Sequence, residues 1–309
     1  MKTRIFQCTV FFFLPILLGS CGQDTGGPAP AAVEGGFFDQ ARALMTEGEV
    51  RQAVELFTRG ISRGERLEEA CLERGKAYLE LGRPGSAVDD FSRVIGLDAK
   101  NADAHYYLGV AKARSKDLAG AVRAYGVAIG IKPDYVKAYA TRAGILGQQG
   151  KLKEAIADCD TAILLDPYNA HFLVNRGIFY KQSGDQARAL GDWEAALKLD
   201  PRLAGAYFNR GMHYGAAGDY HKALSDLDRV LELQPGDVRT LRFRAKAHHE
   251  LEDYERAIED LSTVIERYPG QAWAWQERGR AWESAGDQEK AAADRQKALS
   301  LNPALGEEP

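Results

Sequence analysis

An all-α array of stacked helix hairpins, an α-solenoid, is the fold class this sequence predicts, and three observations predict it. First, short phrases recur on a 34-residue ruler: "ERGKAY" begins at Glu73, "NRGIFY" at Asn175, "NRGMHY" at Asn209 and "ERGRAW" at Glu277. Second, the ruler divides the chain into eight units without one insertion, starting at Glu34, Glu68, Ala102, Val136, Ala170, Ala204, Val238 and Ala272, and position 20 is alanine in all eight, from Ala53 to Ala291. Third, each unit holds two windows of apolar residues at helical spacing, such as Tyr207 and Tyr214, then Leu224, Leu227 and Leu231. Glycine at position 15 in six units suits the left-handed residue that ends a first helix, and proline at position 32 in the last six units, Pro133 to Pro303, cannot continue a second one.

The chain begins with an address. Lys2 and Arg4 precede an apolar run from Ile5 to Leu18, broken by Pro15. That run is short for a bilayer span and fits a signal-peptide core. It would suit an ordinary cleaved signal or an uncleaved anchor, but it ends Leu18-Gly19-Ser20-Cys21, which resembles the bacterial lipobox. The resemblance implies that residues 1–20 are a signal peptide and that the mature chain starts at a lipid-modified Cys21. Several acyl chains at ~0.8 kcal/mol per buried methylene would make the anchor stable. The expected location is the cell envelope: a periplasm-facing outer membrane if the organism has two membranes, otherwise the outer face of the cytoplasmic membrane. Residues 21–33 then comprise the lipidated cysteine and a Gly/Pro/Ala-rich tether without helical periodicity.

Residues 34–305 are the eight units: 34–67, 68–101, 102–135, 136–169, 170–203, 204–237, 238–271 and 272–305. Small residues at positions 8, 20 and 27 let two helices approach closely. Each helix is about 13 residues, or ~20 Å. A single hairpin of this size cannot bury its own apolar face, whereas stacked neighbours can. The pattern, at full strength in "AYFNRGMHYGAAGDYHKALSDLDRVLELQP", resembles the tetratricopeptide repeat (TPR). The resemblance implies antiparallel helix pairs in a right-handed superhelix of eight helix-turn-helix units, with a concave groove lined by the first helix of each pair. Units 1 and 2 depart from the pattern, with Glu65 and Ala99 where the others have proline, and unit 1 has Gln40 and Gly60 at packing positions. Position 24 runs Phe57, Phe91, Tyr125, Cys159, Trp193, Leu227 and Leu261, then Arg295, so the last helix trades its apolar knob for a charge and reads as a cap. Cys159 in that series, and Cys71 among the apolar residues of position 4, read as core. Residues 306–309 form a short tail.

Arginine occupies position 7 in six units and aspartate position 23 in the same six: Arg74 with Asp90, Arg142 with Asp158, Arg176 with Asp192, Arg210 with Asp226, Arg244 with Asp260, and Arg278 with Asp294. The two units without the arginine also lack the aspartate. This pattern predicts a structural ion pair between the helices of one unit.

Catalysis finds little support. HExxH, the P-loop and GxSxG are missing, His248 and His249 are neighbours that point about 100° apart on a helix, and no Cys/His cluster has metal spacing. No enzyme activity, cofactor, metal or small-molecule substrate is expected. The net charge is −4, and cleavage after Ser20 would remove Lys2 and Arg4 and no acid, giving −6. An acidic chain without a dominant basic stripe excludes nucleic acid as a favoured partner.

By the family pattern, positions 2, 5, 6, 9, 12 and 13 face the groove. They hold Tyr106, Tyr107 and Val110 in unit 3, Val174, Asn175 and Ile178 in unit 5, and Phe208, Asn209 and Met212 in unit 6. The asparagines could donate to and accept from an extended peptide backbone. Unit 2 adds Glu69, Glu73 and Glu80, and unit 7 adds Arg239, Arg242, Lys246 and His249, so the groove would run from acidic through apolar to basic. The resemblance therefore implies a membrane-anchored scaffold or adaptor that binds a protein or peptide segment, in envelope, pilus or secretion-complex assembly. A self-assembling structural lipoprotein and a regulator of cell-wall enzymes are the alternatives.

Overall fold

The computed structural model describes residues 36–306, in which sixteen α-helices and one terminal 3-10 turn are the regular elements. The expected signal peptide, Cys21 and most of the tether lie outside the described residues. The helices are α1 (Phe37–Glu47), α2 (Val50–Ser62), α3 (Leu67–Glu80), α4 (Pro84–Leu97), α5 (Ala102–Arg114), α6 (Leu118–Ile131), α7 (Val136–Gln148), α8 (Leu152–Leu165), α9 (Ala170–Gln182), α10 (Gln186–Leu199), α11 (Ala204–Ala216), α12 (Tyr220–Leu233), α13 (Val238–Glu250), α14 (Tyr254–Arg267), α15 (Ala272–Ser284) and α16 (Gln288–Leu301). The chain divides into two compact units, one ending at Asp158 and one beginning at Cys159. In each, first and second helices alternate, and each hairpin packs on the next.

The 34-residue ruler shows directly in the coordinates: second helices begin at Val50, Pro84, Leu118, Leu152, Gln186, Tyr220, Tyr254 and Gln288. The residue at position 15 has positive φ in all eight units. Six are glycines, but Lys116 (φ 65°) and Glu252 (φ 61°) adopt the same conformation at the steric cost of a Cβ. Tertiary packing thus imposes the turn even where the local sequence disfavours it. Beside the turn, Asp117, Asp185, Asp219, Asp253 and Asp287 cap the second helices by accepting a backbone N–H three residues on.

The core follows from two positions. The alanines of position 20 are essentially inaccessible, and beside them sit the knobs of position 24: Phe57, Phe91 and Tyr125 in the first compact unit, Trp193, Leu227 and Leu261 in the second. These knobs lie against position 8. A Cβ at Gly75 would stand 2.6 Å from Phe91, one at Gly109 2.6 Å from Tyr125, and one at Gly177 2.6 Å from Trp193. Glycine stands there because an aromatic ring fills the space a methyl would need. Cys71 and Cys159 are buried, and burial pushes the Cys71 thiol above its ordinary pKa. Arg295 is exposed and pairs with Glu283 at 2.9 Å, so the last second helix turns a charge outward.

Unit 1 departs where its sequence does. Its second helix stops at Ser62, and Glu65, in place of proline, accepts the backbone N–H of Phe37 at 2.9 Å. Arg66 follows in the left-handed region (φ 41°) and lies over the Phe38 ring at 4.0 Å.

Candidate functional site

Six arginines and six aspartates build a ladder inside the fold. In every pair the arginine Nε and Nη2 donate to the two carboxylate oxygens, at 2.6–2.9 Å throughout. The aspartates are all buried. The side-chain hydrogen bond to aspartate is the main cause holding Arg74, Arg142, Arg176, Arg210 and Arg244 above the ordinary arginine value. Pairing within one unit leaves a third corner of the guanidinium free, and the structure puts it to a use that the sequence pairing did not reveal. Nη1 of Arg74 reaches Thr58 (2.9 Å), of Arg176 Asp160 (2.6 Å), of Arg244 Asp228 (2.7 Å) and of Arg278 Ser262 (3.0 Å), each on the second helix of the preceding hairpin. The signal was present in the sequence as a polar residue at position 25 in seven units; Gly126 is the exception, and Arg142 there has no side chain to meet. Each such arginine ties three helices, which makes the ladder a device for stacking, not chemistry.

The first-helix face divides between the two compact units. In the first, Tyr106 is mostly buried and packs at 5.1 Å on Tyr107, 5.7 Å on Tyr125 and 5.1 Å on Tyr135. Burial raises the phenol pKa values of Tyr106, Tyr125 and Tyr135. Tyr107 stacks on Phe91, and Val110 is half-buried beside it. What remains open is a polar pocket of about 400 Å³ lined by Lys76, Tyr107, Lys132, Tyr135 and Lys137 with Asp103 and Asp134. At the acidic end expected at unit 2, Glu73 pairs with Lys76 at 2.8 Å and Glu69 with Arg66.

In the second compact unit two expected groove residues are corrected. Val174 and Ile178 are 8% exposed each, because α9 packs on both α10 and α11 and short apolar side chains on the shared face leave water. Asn175 is half-exposed, with no side-chain partner among the described residues. Asn209 already donates one amide N–H to the Gly205 carbonyl at 2.7 Å, so its second N–H and its oxygen are left to meet a ligand. Phe208 and Met212 are half-exposed, and Phe208 meets Phe243 edge-on at 5.7 Å. Arg239, Arg242 and Lys246 are exposed. Arg239 lies over the Phe208 ring at 5.1 Å. Arg242 is held by Glu277 (Nε to Oε1, 2.9 Å) above the Trp273 ring at 4.4 Å. His249 meets Ser284 at 3.2 Å. Phe243, Trp273, Glu277 and Arg280 belong to this face and escaped the sequence reading; their positions 2, 6 and 9 in units 7 and 8 were the available signal.

No group of three metal-ligating side chains that could hold an ion occurs among the described residues, and no described helix is long and apolar enough to cross a membrane.

Comparison with known proteins agrees with this architecture. A tetratricopeptide repeat model matches residues 72–136, 176–238, 208–272 and 244–305, and a second model of the same repeat matches 136–169. A tetratricopeptide repeat and J domain-containing co-chaperone of Fusarium oxysporum is 28% identical over 140 residues, which is 43% of this chain and 27% of the relative, so the match spans about a quarter of that protein's length. Among solved structures, a tetratricopeptide repeat protein from Parabacteroides merdae superposes with a TM-score of 0.60 at 20% identity, covering 78% of this chain and 96% of the other. YrrB, a TPR protein with an unusual peptide-binding site, superposes with a TM-score of 0.51 at 23% identity, covering 59% of this chain and 94% of its own. The chain belongs to the tetratricopeptide repeat family.

Proposed function

We propose that this tetratricopeptide repeat chain is a scaffold that holds a segment of another protein on the exposed face of its first helices, while a lipidated Cys21 tethers it to a membrane of the cell envelope. The TPR fold suggests protein–protein interaction, and TPR proteins are generally non-catalytic scaffolds. The observation that carries the reading is on α9 to α13. There Asn175, without a side-chain partner among the described residues, and half-exposed Phe208 and Met212 stand beside exposed cations, in a family whose member YrrB has a peptide-binding site. Polar groups with unused donors and acceptors next to partly exposed apolar side chains are what an incoming segment needs. The ladder explains why the face can be presented: Arg74, Arg176, Arg244 and Arg278 each tie a hairpin to the one before it, which holds the spacing of those first helices when loaded. Assembly of an envelope, pilus or secretion complex is the proposed setting, drawn from the lipobox resemblance.

Two experiments test the two parts. A photo-crosslinking amino acid at position 175, compared with one at position 194 on α10, reads whether a segment sits on the first-helix face; equal crosslinking at both sites would remove the face from consideration. Palmitate labelling of wild type beside Cys21→Ala reads the anchor, and an unlabelled wild type would remove the tether.

A further inference from the structure

We infer that the face formed by α11, α13 and α15 recognises an acidic segment carrying one apolar anchor, in which an apolar residue is followed at its third and sixth positions by carboxylates. The inference rests on the proposed first-helix face and adds the chemistry of its occupant.

Charge on this face is one-sided. Positions 2, 5, 6 and 9 of α13 and α15 hold Arg239, Arg242, Lys246 and Arg280 against a single carboxylate, Glu277, and the same positions of α9 and α11 hold no acid. Glu277 is already committed to Arg242. Farther along the helices, Glu250 is engaged by Tyr220 and Glu283 by Arg295. Lys246 and Arg280 are exposed and have no partner among the described residues, and Arg239 reaches Asp237 only at 3.9 Å. On a chain of net charge −4 such a local excess of unpaired cations is a departure from the whole. Opposite potentials at an interface set partner choice and register. The apolar component is adjacent: Phe208 and Met212 on α11, with Phe243 edge-on to Phe208.

Spacing gives the register. Neighbouring packed helices stand about 8–10 Å apart, and a peptide in the polyproline-II conformation rises ~3.1 Å per residue with three residues per turn, so about three residues carry a ligand from one first helix to the next and every third side chain returns to the same face. An anchor at Phe208 and Met212 therefore places carboxylates three and six residues on, opposite Lys246 and Arg280. A peptide is favoured over nucleic acid because the cations form one small patch beside an apolar surface, not a stripe that tracks a phosphate backbone.

The test uses the full-length protein and three fluorescent nonapeptides. One has a phenylalanine followed at the third and sixth positions by glutamate; the second has glutamine and the third lysine at those two positions. Fluorescence anisotropy should show the glutamate peptide binding about tenfold more tightly than the glutamine peptide, with the gap closing at high salt. Lys246→Glu combined with Arg280→Glu changes two exposed side chains that hold nothing else, and should transfer the preference to the lysine peptide. Equal binding of the three peptides, or an unchanged preference in the reversed variant, overturns the inference. An oligothymidylate that competes as well as the glutamate peptide does so too, by assigning the cations to polyanions at large. If no peptide binds but crosslinking at position 175 still captures a segment, the acidic chemistry fails and the interaction face stands. If both are blank, the face itself fails.

Discussion

Arg176 and Asp192 meet at two points across the α9–α10 hairpin, Nε to Oδ2 at 2.9 Å and Nη2 to Oδ1 at 2.7 Å, while Nη1 of the same arginine reaches back 2.6 Å to Asp160 on α8. Asp192 is 7% exposed, so removing its partner strands a charge away from water. Arg176→Ala should cost about 3–5 kcal/mol, whereas Arg176→Leu with Asp192→Leu should cost markedly less because no uncompensated charge remains. Urea denaturation of the two variants decides it; a double variant as unstable as the sum of its single changes would mean that the residues do not act as a pair.

The contact between position 8 and the position 24 knob makes a prediction about glycine. Gly177→Ala would put a methyl 2.6 Å from the Trp193 indole nitrogen, whereas a Cβ at Gly191 on the neighbouring helix meets nothing within 4 Å. The first substitution should destabilise by about 1–3 kcal/mol through overpacking. The second should stabilise by about 0.5–1 kcal/mol through reduced unfolded-chain entropy. Thermal melts with opposite signs are expected.

Lys116 and Glu252 hold the left-handed turn without glycine's freedom, at φ 65° and 61°. Lys116→Gly and Glu252→Gly should each raise stability by about 0.5–1 kcal/mol, the relief of Cβ strain exceeding the added flexibility of the unfolded chain. Loss of stability on either change, measured by chemical denaturation, would show that these side chains hold the turn in some other way.

His248 replaces the tyrosine that stands at position 11 in units 2, 5 and 6, and it is 6% exposed. Burial is the largest influence on it and lowers its pKa below 6.5; Asp260 and Asp253 oppose the shift, while Arg244 and Arg256 add to it. The unfolded chain then takes up a proton before the folded one does. Stability is fully present above pH 6.5 and falls as the pH drops below that value through the lowered folded pKa. His248→Tyr should flatten this slope, leaving the contribution of His213, whose pKa burial also lowers. Denaturation midpoints at about pH 7.5 and about pH 5.5 test it: wild type should lose more stability than the variant between them.

Much of the fold was legible residue by residue. The period set the pitch of the array, and the second helices begin every 34 residues, because a turn glycine and a proline stop are local signals. The Arg74–Asp90 type of contact could be written from sequence because both partners sit in one hairpin sixteen residues apart, and a helix pair of fixed length returns them to the same height. The candidate face was less legible. Val174 and Ile178 occupy face positions yet are buried, since whether a short apolar side chain stays exposed depends on how closely the next first helix approaches. Asn209 looked like a free amide and is engaged by its own helix at Gly205, whereas Asn175 at the same position is not.

The sequence alone determined the repeat length, the class of each element, the alanine and aromatic positions of the core and the in-hairpin ion pairs, because all of these depend on spacing within about one unit. Only the tertiary structure decided which cations remain unpaired. Arg242 finds Glu277 thirty-five residues away and Arg176 finds Asp160 in the preceding hairpin, whereas Lys246 and Arg280 find no partner among the described residues. That outcome is a competition among side chains brought together by stacking, and side chains on neighbouring hairpins are close only after the helices have packed.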